Sequence, residues 1–299
     1  MNHSRIEVLD TSASRLRNRG NGPGRPIGTI LQDAGRLSAE DAERVLRLQR
    51  DEGLRFGAAA VRLGLLTEED IRHALSHQFD YPYLSREDTS LHHELAAAYE
   101  PFSASVENLR ALRSQLMLRW FDSDIGHKSL AITSVDSEDG RSYLAANLAV
   151  VFSQLGQRTL LIDADLRAPR QHQLFKMQDG PGLSTVLAER SGLDAISTIP
   201  ALVGLSVLQA GPIPPNPQEL LGRATFTALL ESAALDYDVV IIDTPPAARY
   251  ADAQTVAVRA GAALLVARKN KTALPELSQL HRNLNQFGAT IVGSVLNDS

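Results

Sequence analysis

The chain has 299 residues, 43% of them hydrophobic and 22% charged, and its formal net charge is −5. That length accommodates two domains with a substantial core, and the composition is that of an ordinary globular protein. The net negative charge gives no reason to expect nucleic-acid binding, and the absence of cysteine excludes disulfides, thiol catalysis and cysteine-ligated zinc. No apolar run approaches the roughly 18 residues of a membrane span, and no apolar signal core opens the chain, so we expect a cytoplasmic protein.

The first 24 residues are polar and interrupted by glycine and proline, with arginines at positions 15, 17 and 19. We predict a flexible tail over residues 1–24, because such a segment cannot bury enough apolar surface to fold. The basic cluster leaves two interpretations open, a solvated arm and a contact with acidic lipids.

An internal repeat with a period of 29 residues covers residues 26–78. Each copy contains a short helix, a glycine turn and a helix that begins at a hydroxyl residue, Ser38 or Thr67, followed three positions later by aspartate. This arrangement is a capping box. We therefore predict a small all-α tandem-repeat domain over residues 25–85, with four helices in one compact unit. The matched positions are Gly28, Gly35, Leu37, Leu46 and Gln49 against Gly57, Gly64, Leu66, Leu75 and Gln78.

The second copy starts Arg–apolar–Gly, places another glycine seven residues later and ends in glutamine. It resembles the N-terminal domain of type II secretion and pilus ATPases, a module whose members include cyclic di-GMP binders. The resemblance implies cyclic di-GMP at residues 26–78, while helix packing alone and docking of a partner protein are the other interpretations. The first copy departs at Pro26, Gln32 and Arg36, with Arg25 as a substitute for the displaced arginine. The second copy matches at Arg55, Phe56, Gly57, Gly64, Leu65, Leu66, Ile71, Leu75 and Gln78.

Residues 86–104 lack sustained periodicity and predict a linker with one short helix near residues 92–99. A helix over residues 105–120 follows, with leucines at positions 109, 112 and 116 on one face. Glu107, Arg110 and Arg113 are spaced three apart and form a stripe along this helix. Taken alone, the stripe indicates a solvated face with internal ion pairs.

Apolar strand patterns alternate with helical patterns in the remainder, residues 105–299. The runs VVIID, AALLVA and IVGSVL are near-continuous, which is typical of strands covered on both faces. We predict an α/β fold, a doubly wound and mostly parallel sheet preceded by the small all-α domain, with ligands at the carboxyl ends of the strands. Predicted strands cover residues 129–134, 159–163, 205–209, 238–243, 261–267 and 290–296, and predicted helices cover 141–155, 217–234 and 274–286.

Residues 129–147 have the strand–loop–helix outline of a phosphate-binding loop, which closes on Gly140, Arg141 and Ser142. Unpaired backbone N–H groups and the positive end of a helix dipole converge in such a loop. We expect Gly140 to permit close backbone approach, Ser142 to offer its hydroxyl to Mg²⁺, and Arg141 to neutralise phosphate charge where the usual loop has lysine. The predicted nucleotide-binding residues of this loop are Ser137, Glu138, Asp139, Gly140, Arg141, Ser142 and Tyr143.

Acidic residues surround this loop. Glu138 and Asp139 lie within it, and we expect both to point outward, since they would otherwise repel the nucleotide. Asp163 and Asp165 end a buried strand and point to the same side of it, and Asp243 ends another. Carboxylates placed at strand ends beside a phosphate loop hold Mg²⁺ and activate a nucleophile. The pattern therefore predicts a nucleotide site rather than three unrelated turns.

Three segments carry a more specific resemblance: IDADLRAPR at 162–170, AGPIPPNPQELL at 210–221 and VIIDTPP at 240–246. Together with the Asp252–Ala253 pair they resemble bacterial tyrosine kinases of the exopolysaccharide biosynthesis family, over residues 105–299. The resemblance implies a P-loop domain, ATP and Mg²⁺ as cofactors, and transfer of the γ-phosphoryl group to tyrosine.

The same resemblance assigns roles to individual residues. Asp163 would be the base toward a tyrosine hydroxyl, with Asp165 also in the catalytic set. Asp165 and Asp243, together with Ser142, would support Mg²⁺. Arg141 would take the catalytic place of the family lysine.

The resemblance also implies a partner, a membrane-embedded chain-length determinant of exopolysaccharide polymerisation or export. We therefore expect a cytoplasmic protein held at the inner membrane through that partner. Glu107, Arg110 and Arg113 match a family motif for subunit contacts and imply self-association. Asn297, after the last strand, is a candidate for contact with adenine, and capping of the strand end is the alternative.

Two features depart from the family pattern. The loop reads Ser-Glu-Asp-Gly-Arg in place of Pro-Gly-Glu-Gly-Lys, and the chain ends after its last strand without the family's tyrosine cluster. Two further interpretations stay open: a catalytically weak or inactive nucleotide-gated adaptor, and a partition ATPase of the same superfamily, against which residues 210–221 argue. The tyrosines present are Tyr81, Tyr83, Tyr99, Tyr143, Tyr237 and Tyr250, of which we expect Tyr81 and Tyr83 to be the accessible pair.

Overall fold

A computed structural model describes residues 26–68, 70, 71, 74, 83–122 and 126–298. The chain divides into two compact units, residues 1–81 and residues 82–299. The predicted tail at residues 1–24 lies outside the described residues, as do Arg25, Leu75, Gln78 and Tyr81.

Short helices form the first unit, and both predicted N-caps are present. The reciprocal bond of a full capping box occurs at Thr67, whose N–H donates to the Asp70 carboxylate at 2.9 Å. The backbone N–H of Asp41 donates to the Ser38 hydroxyl at 3.0 Å, and that of Asp70 donates to the Thr67 hydroxyl at 3.1 Å. These bonds satisfy N–H groups that the first helical turn leaves without partners. The helices are α1 (Ile27–Asp33), α2 (Ala39–Glu52) and α3 (Phe56–Arg62), and helical backbone recurs at residues 68, 70, 71 and 74.

A small apolar core holds the first unit together. Gly57 lets α3 approach Ile71 closely, since a Cβ at Gly57 would lie 2.8 Å from the Ile71 side chain. Glycine at this repeat position therefore has a packing role whether or not the unit binds a ligand. The buried core residues are Leu31, Leu37, Ala42, Val45, Ala59, Ala60, Leu66 and Ala74.

The second unit contains a seven-stranded sheet in the order β3-β4-β2-β5-β1-β6-β7. Every neighbouring pair is parallel except β3 with β4, which confirms the predicted mostly parallel sheet. The two-residue β3 was not predicted, because so short a segment carries no alternation. The strands are β1 (Ser129–Ser134), β2 (Thr159–Asp163), β3 (Ser197–Thr198), β4 (Leu205–Leu208), β5 (Val239–Asp243), β6 (Ala262–Arg268) and β7 (Thr290–Asn297).

Helices cover both faces of this sheet, as the doubly wound prediction requires. Alternate strand residues enter opposite cores: Leu130 and Ile132 pack in one, and Ala131 packs in the other. The single helix predicted over 217–234 is divided at Arg223, whose backbone is extended. The helices are α4 (Ala96–Tyr99), α5 (Ala104–Leu116), α6 (Arg141–Gln154), α7 (Gln171–Leu174), α8 (Leu183–Leu187), α9 (Pro217–Gly222), α10 (Ala224–Asp236), α11 (Asp252–Ala260) and α12 (Leu274–Gln286).

The segment before α5 is part of the second unit, which corrects the predicted linker at 86–104. Leu95, Ala97 and Ala98 are fully buried in the core beneath α6. Asn147 on α6 fixes this segment, because its amide donates to the Glu94 carbonyl at 3.0 Å and accepts from the Ala97 N–H at 2.9 Å. Lack of periodicity here reflects irregular but packed backbone.

Asn147 gives a test of this packing. Asn147→Ala leaves the buried N–H of Ala97 without its acceptor, so we expect it to lower the free energy of unfolding by about 2 kcal/mol. Asn285→Ala, on the exposed surface of α12, should change it by less than about 0.5 kcal/mol. Urea unfolding followed by circular dichroism measures both values, and equal effects would show that residues 94–97 do not depend on Asn147.

Candidate functional site

The predicted phosphate loop lies between β1 and α6, at the carboxyl ends of the central strands. Gly140 is the N-cap of α6 and has a left-handed backbone with φ of 97°. A Cβ at Gly140 would lie 2.4 Å from Nδ2 of Asn297, so the end of β7 packs directly on this glycine. Both the backbone conformation and the close approach require glycine at this position.

The guanidinium of Arg141 is buried within the loop and has three acceptors there. Its Nη1 donates to Ser134 Oγ and to the Asp136 carbonyl, each at 2.6 Å, and its Nε donates to the Thr244 carbonyl at 2.8 Å. Its Nη2 lies 3.9 Å from Oδ2 of Asp165. Arg141 therefore ties the loop to the turn after β5, a role that the sequence analysis did not assign to it.

The two acidic residues of the loop have different surroundings. Glu138 is exposed, as predicted, and pairs with Lys271 at 3.3 Å. Asp139 is fully buried, which corrects the expectation that it points outward. Its carboxylate accepts from the Asp136 N–H at 3.0 Å and from the Thr272 hydroxyl at 3.2 Å, so its charge is satisfied inside the protein.

Asp163 and Asp243 are register partners at the ends of β2 and β5, and both are fully buried. Burial and the neighbouring Asp243 charge raise the pKa of Asp163 well above its usual value. Burial likewise raises the pKa of Asp243 to about 6, although the Arg141 charge and the Gln171 amide oppose that rise. Two carboxyls in this position favour holding a proton or a cation between them.

Asp163 and Asp165 differ in the contacts that their carboxylates make. The Asp163 carboxylate accepts the backbone N–H groups of Asp165, Arg170 and Gln171 at 3.2, 3.0 and 2.9 Å, and it does not border the cavity beside the loop. Asp165 does border that cavity, and its Oδ1 accepts from the N–H groups of Arg167 and Ala168. Asp165 is therefore the more accessible of the two, although both side chains are buried.

The residues present fit a hard cation such as Mg²⁺. Among the described residues no group of three or more His, Cys, Asp or Glu side chains forms a metal cage. Mg²⁺ at phosphate sites needs no such cage, because it is held by one or two carboxylates and the substrate phosphates. Within the described residues, Oδ1 of Asp243 and Oε1 of Gln171 are buried without hydrogen-bond partners. Ser142 comes directly after Arg141, at the start of α6. Ser142 and Asp243 would hold the ion, with Asp165 at the cavity side.

A cavity of about 730 Å³ opens beside the loop. Five arginines and three carboxylates border this cavity. Of the five arginines, only Arg141 was predicted from the sequence to be a site residue. A signal for Arg167 and Arg170 was present in the DLRAPR segment, which begins at Asp165. The charged and aromatic residues of the wall are Glu94, Glu138, Arg141, Tyr143, Asp165, Arg167, Arg170, Arg249, Tyr250 and Arg268.

Arg167 and Arg170 are fixed by long-range ion pairs. Arg167 makes two hydrogen bonds, of 2.7 and 3.2 Å, to the buried carboxylate of Asp252, and its guanidinium covers the Tyr250 ring at 3.9 Å. Arg170 pairs with Glu94 at 2.6 Å. These contacts hold the arginines and Tyr250 in defined positions on the cavity wall.

A smaller cavity of about 320 Å³ adjoins the first between α5, α6 and β7. Tyr143 and Asn297 border both cavities. Asn297 donates to the Asp139 carbonyl at 3.2 Å, and its own carbonyl accepts from the Lys269 N–H at 2.7 Å. The residue thus closes the strand end and also borders the space where a base would lie.

The stripe on α5 is engaged within the chain. Glu107 pairs with Arg110 at 2.9 Å, and Arg113 donates to the Val151 carbonyl at 2.8 Å. Glu107 and Arg110 therefore form the internal ion pair that the stripe taken alone predicts. Self-association stays a prediction. Within the described ranges, no helix is both long and apolar enough to cross a lipid bilayer.

Comparison with known proteins identifies relatives for the second unit. Residues 128–295 match the family described as the AAA domain. The tyrosine-protein kinase YwqD of Bacillus subtilis is 38% identical over 201 residues, 67% of this chain and 84% of that protein. The tyrosine-protein kinase etk of Escherichia coli is 37% identical over 67% of this chain and 27% of its own length. The solved kinase domain of the Escherichia coli tyrosine kinase ETK aligns with a TM-score of 0.66, at 36% identity over 73% of this chain and 85% of that domain.

Asp243 gives a pH test of the buried carboxyl pair. The folded protein keeps the Asp243 proton up to about pH 6, whereas the ordinary value is 3.8, so this residue's contribution to stability falls as pH rises through that window. Asp243→Asn removes the cost of burying a negative charge. At pH 8 without nucleotide we therefore expect it to raise the free energy of unfolding by about 1–3 kcal/mol. Urea unfolding at pH 8 and pH 5 should show the difference from wild type shrinking at the lower pH; a difference independent of pH would contradict the assignment.

Proposed function

Because this chain belongs to the family of bacterial tyrosine-protein kinases, and its residues 128–295 to the AAA domain family, we propose that it transfers the γ-phosphoryl group of Mg-ATP to tyrosine. The observation that supports this most is one cavity bordered by the phosphate loop, five arginines and the carboxylate of Asp165. Phosphoryl transfer depends mainly on positioning and on neutralising charge, and this wall offers both.

In the proposed reaction the loop and the arginines hold the phosphates. Backbone N–H groups at the start of α6 face the negative charge, with the positive end of the helix dipole behind them. Ser142 and Asp243 would hold Mg²⁺, which would supply further neutralisation of the phosphate charge. Arg141 keeps the loop closed through its three hydrogen bonds and brings Nη2 toward the cavity.

We assign the proton-accepting role to Asp165 rather than to Asp163. Asp163 already accepts three backbone N–H groups and does not border the cavity, so a tyrosine hydroxyl that enters the cavity would meet Asp165 first. Asp165 borders the cavity, and its carboxylate is anchored by two N–H groups of the following turn. Asp163 instead fixes the backbone that carries Asp165 and Arg170.

The biological setting follows from the relatives. One is described as lying in a cps region, and we propose that this chain likewise serves exopolysaccharide polymerisation or export. A membrane-embedded chain-length determinant is the proposed partner, which would place the protein at the inner membrane. Self-association through Glu107, Arg110 and Arg113 belongs to the same proposal.

The proposed activity predicts phosphotyrosine on the protein itself after incubation with Mg-ATP. Tyr250 is the acceptor we expect, because it is 36% exposed and borders the same cavity as the phosphate loop. Asp165→Asn should lower phosphotyrosine formation by about 100-fold or more, because general base catalysis contributes about that much, while ATP binding persists. Mass spectrometry of tryptic peptides measures the first quantity, and calorimetry measures the second.

Asp163→Asn is the comparison variant for that experiment. We expect it to lower stability, since a buried carboxylate with three N–H partners is replaced, yet to retain more turnover than Asp165→Asn at a temperature where both are folded. The reverse ranking would return the base assignment to Asp163. ATP binding by wild type without any phosphotyrosine would instead favour a nucleotide-gated adaptor.

A second function is proposed for the first unit, because a cavity of about 700 Å³ opens on α3. Arg55, Phe56 and Gly57, the residues that match the secretion-ATPase pattern, border this cavity together with Arg62. Two arginines beside an aromatic ring suit a cyclic dinucleotide, whose phosphates take guanidinium groups and whose bases stack. We therefore propose cyclic di-GMP as its ligand.

Arg55→Ala tests this ligand in the full chain. We expect the dissociation constant for cyclic di-GMP, measured by calorimetry, to rise at least about tenfold on loss of one charge-assisted contact. Arg44→Ala is the matched control, since Arg44 pairs with Asp41 on the surface and does not border the cavity. No binding by wild type would leave packing or partner docking as the role of the repeat.

A further inference from the structure

The carbonyl groups of three successive loop residues each accept a side-chain hydrogen bond from beyond the loop. Lys271 Nζ donates to the Ser137 carbonyl at 2.8 Å, and Arg268 Nη1 donates to the Glu138 carbonyl at 3.1 Å. Asn297 Nδ2 donates to the Asp139 carbonyl at 3.2 Å. All three donors come from the carboxyl ends of β6 and β7 or the turn between β6 and α12.

The turn at residues 268–272 is itself rigid. The N–H of Arg268 donates to the Thr272 hydroxyl at 2.7 Å, and the N–H of Thr272 donates back to the Arg268 carbonyl at 2.9 Å. The Thr272 hydroxyl then donates to the buried carboxylate of Asp139 at 3.2 Å. The donors therefore stand on a closed turn that is bonded to the loop it holds.

Fixing these carbonyls also fixes the N–H groups between them. In a planar trans peptide the C=O and the next N–H point in opposite directions, so bonds to the carbonyls of 137, 138 and 139 orient the N–H groups of 138, 139 and 140. Within the described residues, none of these three N–H groups has a protein acceptor. Glu138, with φ of 63°, and Gly140, with φ of 97°, both have left-handed backbone, a conformation found in anion-binding concavities.

This arrangement bears on the missing loop lysine. Arg141, which stands in its place, uses Nη1 for Ser134 and the Asp136 carbonyl and Nε for the Thr244 carbonyl, so much of its donor capacity is directed inward. Lys271 and Arg268 bring two positive charges to the outer side of the same loop. Each contact joins a charged donor to a carbonyl, which makes it stronger than a neutral hydrogen bond.

We propose that the turn at residues 268–272 is a clamp on the phosphate loop, with Lys271 and Arg268 as positioning residues that hold the loop in its nucleotide-binding shape. The proposal rests on the proposed ATP-binding function of this site and deepens it. Lys271 acts through the loop and does not border the cavity, whereas Arg268 both holds the loop and borders the cavity. Lys271 is therefore the residue that separates clamping from direct contact with phosphate.

The test compares ATP binding by the full chain in Lys271→Ala, Lys271→Arg and Lys269→Ala. We expect Lys271→Ala to raise the dissociation constant of Mg-ATP about tenfold, on loss of charge-assisted bonds to the loop. Lys271→Arg keeps a donor for the Ser137 carbonyl and should restore affinity to within about threefold of wild type. Lys269→Ala is the matched control in the same turn and should bind as wild type does, since the Lys269 ammonium pairs with Asp298, at 4.0 Å, and does not border the cavity.

Calorimetry gives each dissociation constant, and hydrogen exchange of residues 136–140 without nucleotide reports the loop directly. Faster exchange there in Lys271→Ala, with an unchanged melting temperature, is the expected result. Wild-type affinity and wild-type exchange in Lys271→Ala would overturn the clamp. Equal loss in Lys271→Arg and Lys271→Ala would also overturn it, while failure of wild type to bind Mg-ATP would count against the proposed function instead.

Discussion

The pairing of Asp163 with Asp243 is the constraint on which the rest of this site depends. Parallel register places the two carboxyls side by side at the ends of β2 and β5, where neither reaches water. Two neighbouring buried negative charges are unstable unless positive charge, hydrogen-bond donors or a proton compensates them. Three backbone N–H groups meet Asp163, while the Gln171 amide and the Arg141 charge act on Asp243.

This compensation explains why arginine serves at position 141. Lysine would bring one point charge, but the arginine fork reaches acceptors on both sides of the site, the loop at Asp136 and the turn at Thr244. The same residue thus closes the loop and opposes the rise that burial causes in the pKa of Asp243. Arg141 therefore has fewer N–H groups left to bind phosphate. Other cations on the cavity wall, Arg167 and Arg268 among them, must supply the remaining positive charge.

The sequence predicted the sheet well because its signals are local. β1 and β2 end where the apolar runs end, and the loop outline at residues 135–142 follows from spacing alone. What it missed depends on partners far along the chain. The buried acceptor of Arg167 is Asp252, 85 residues away, and the donor that turns Asp139 inward is Thr272. Residues 94–97 lack periodicity, and only the Asn147 amide shows that they are packed.

The charge distribution of the cavity suits a reaction whose product, phosphotyrosine, carries new negative charge. Arg167, Arg249 and Tyr250 border the same cavity as the loop and Arg141. A phosphorylated Tyr250 would carry negative charge, and Arg167, whose guanidinium already covers its ring, would stabilise that charge where it forms. Arg167 would then serve a kinase in addition to making its ion pair with Asp252.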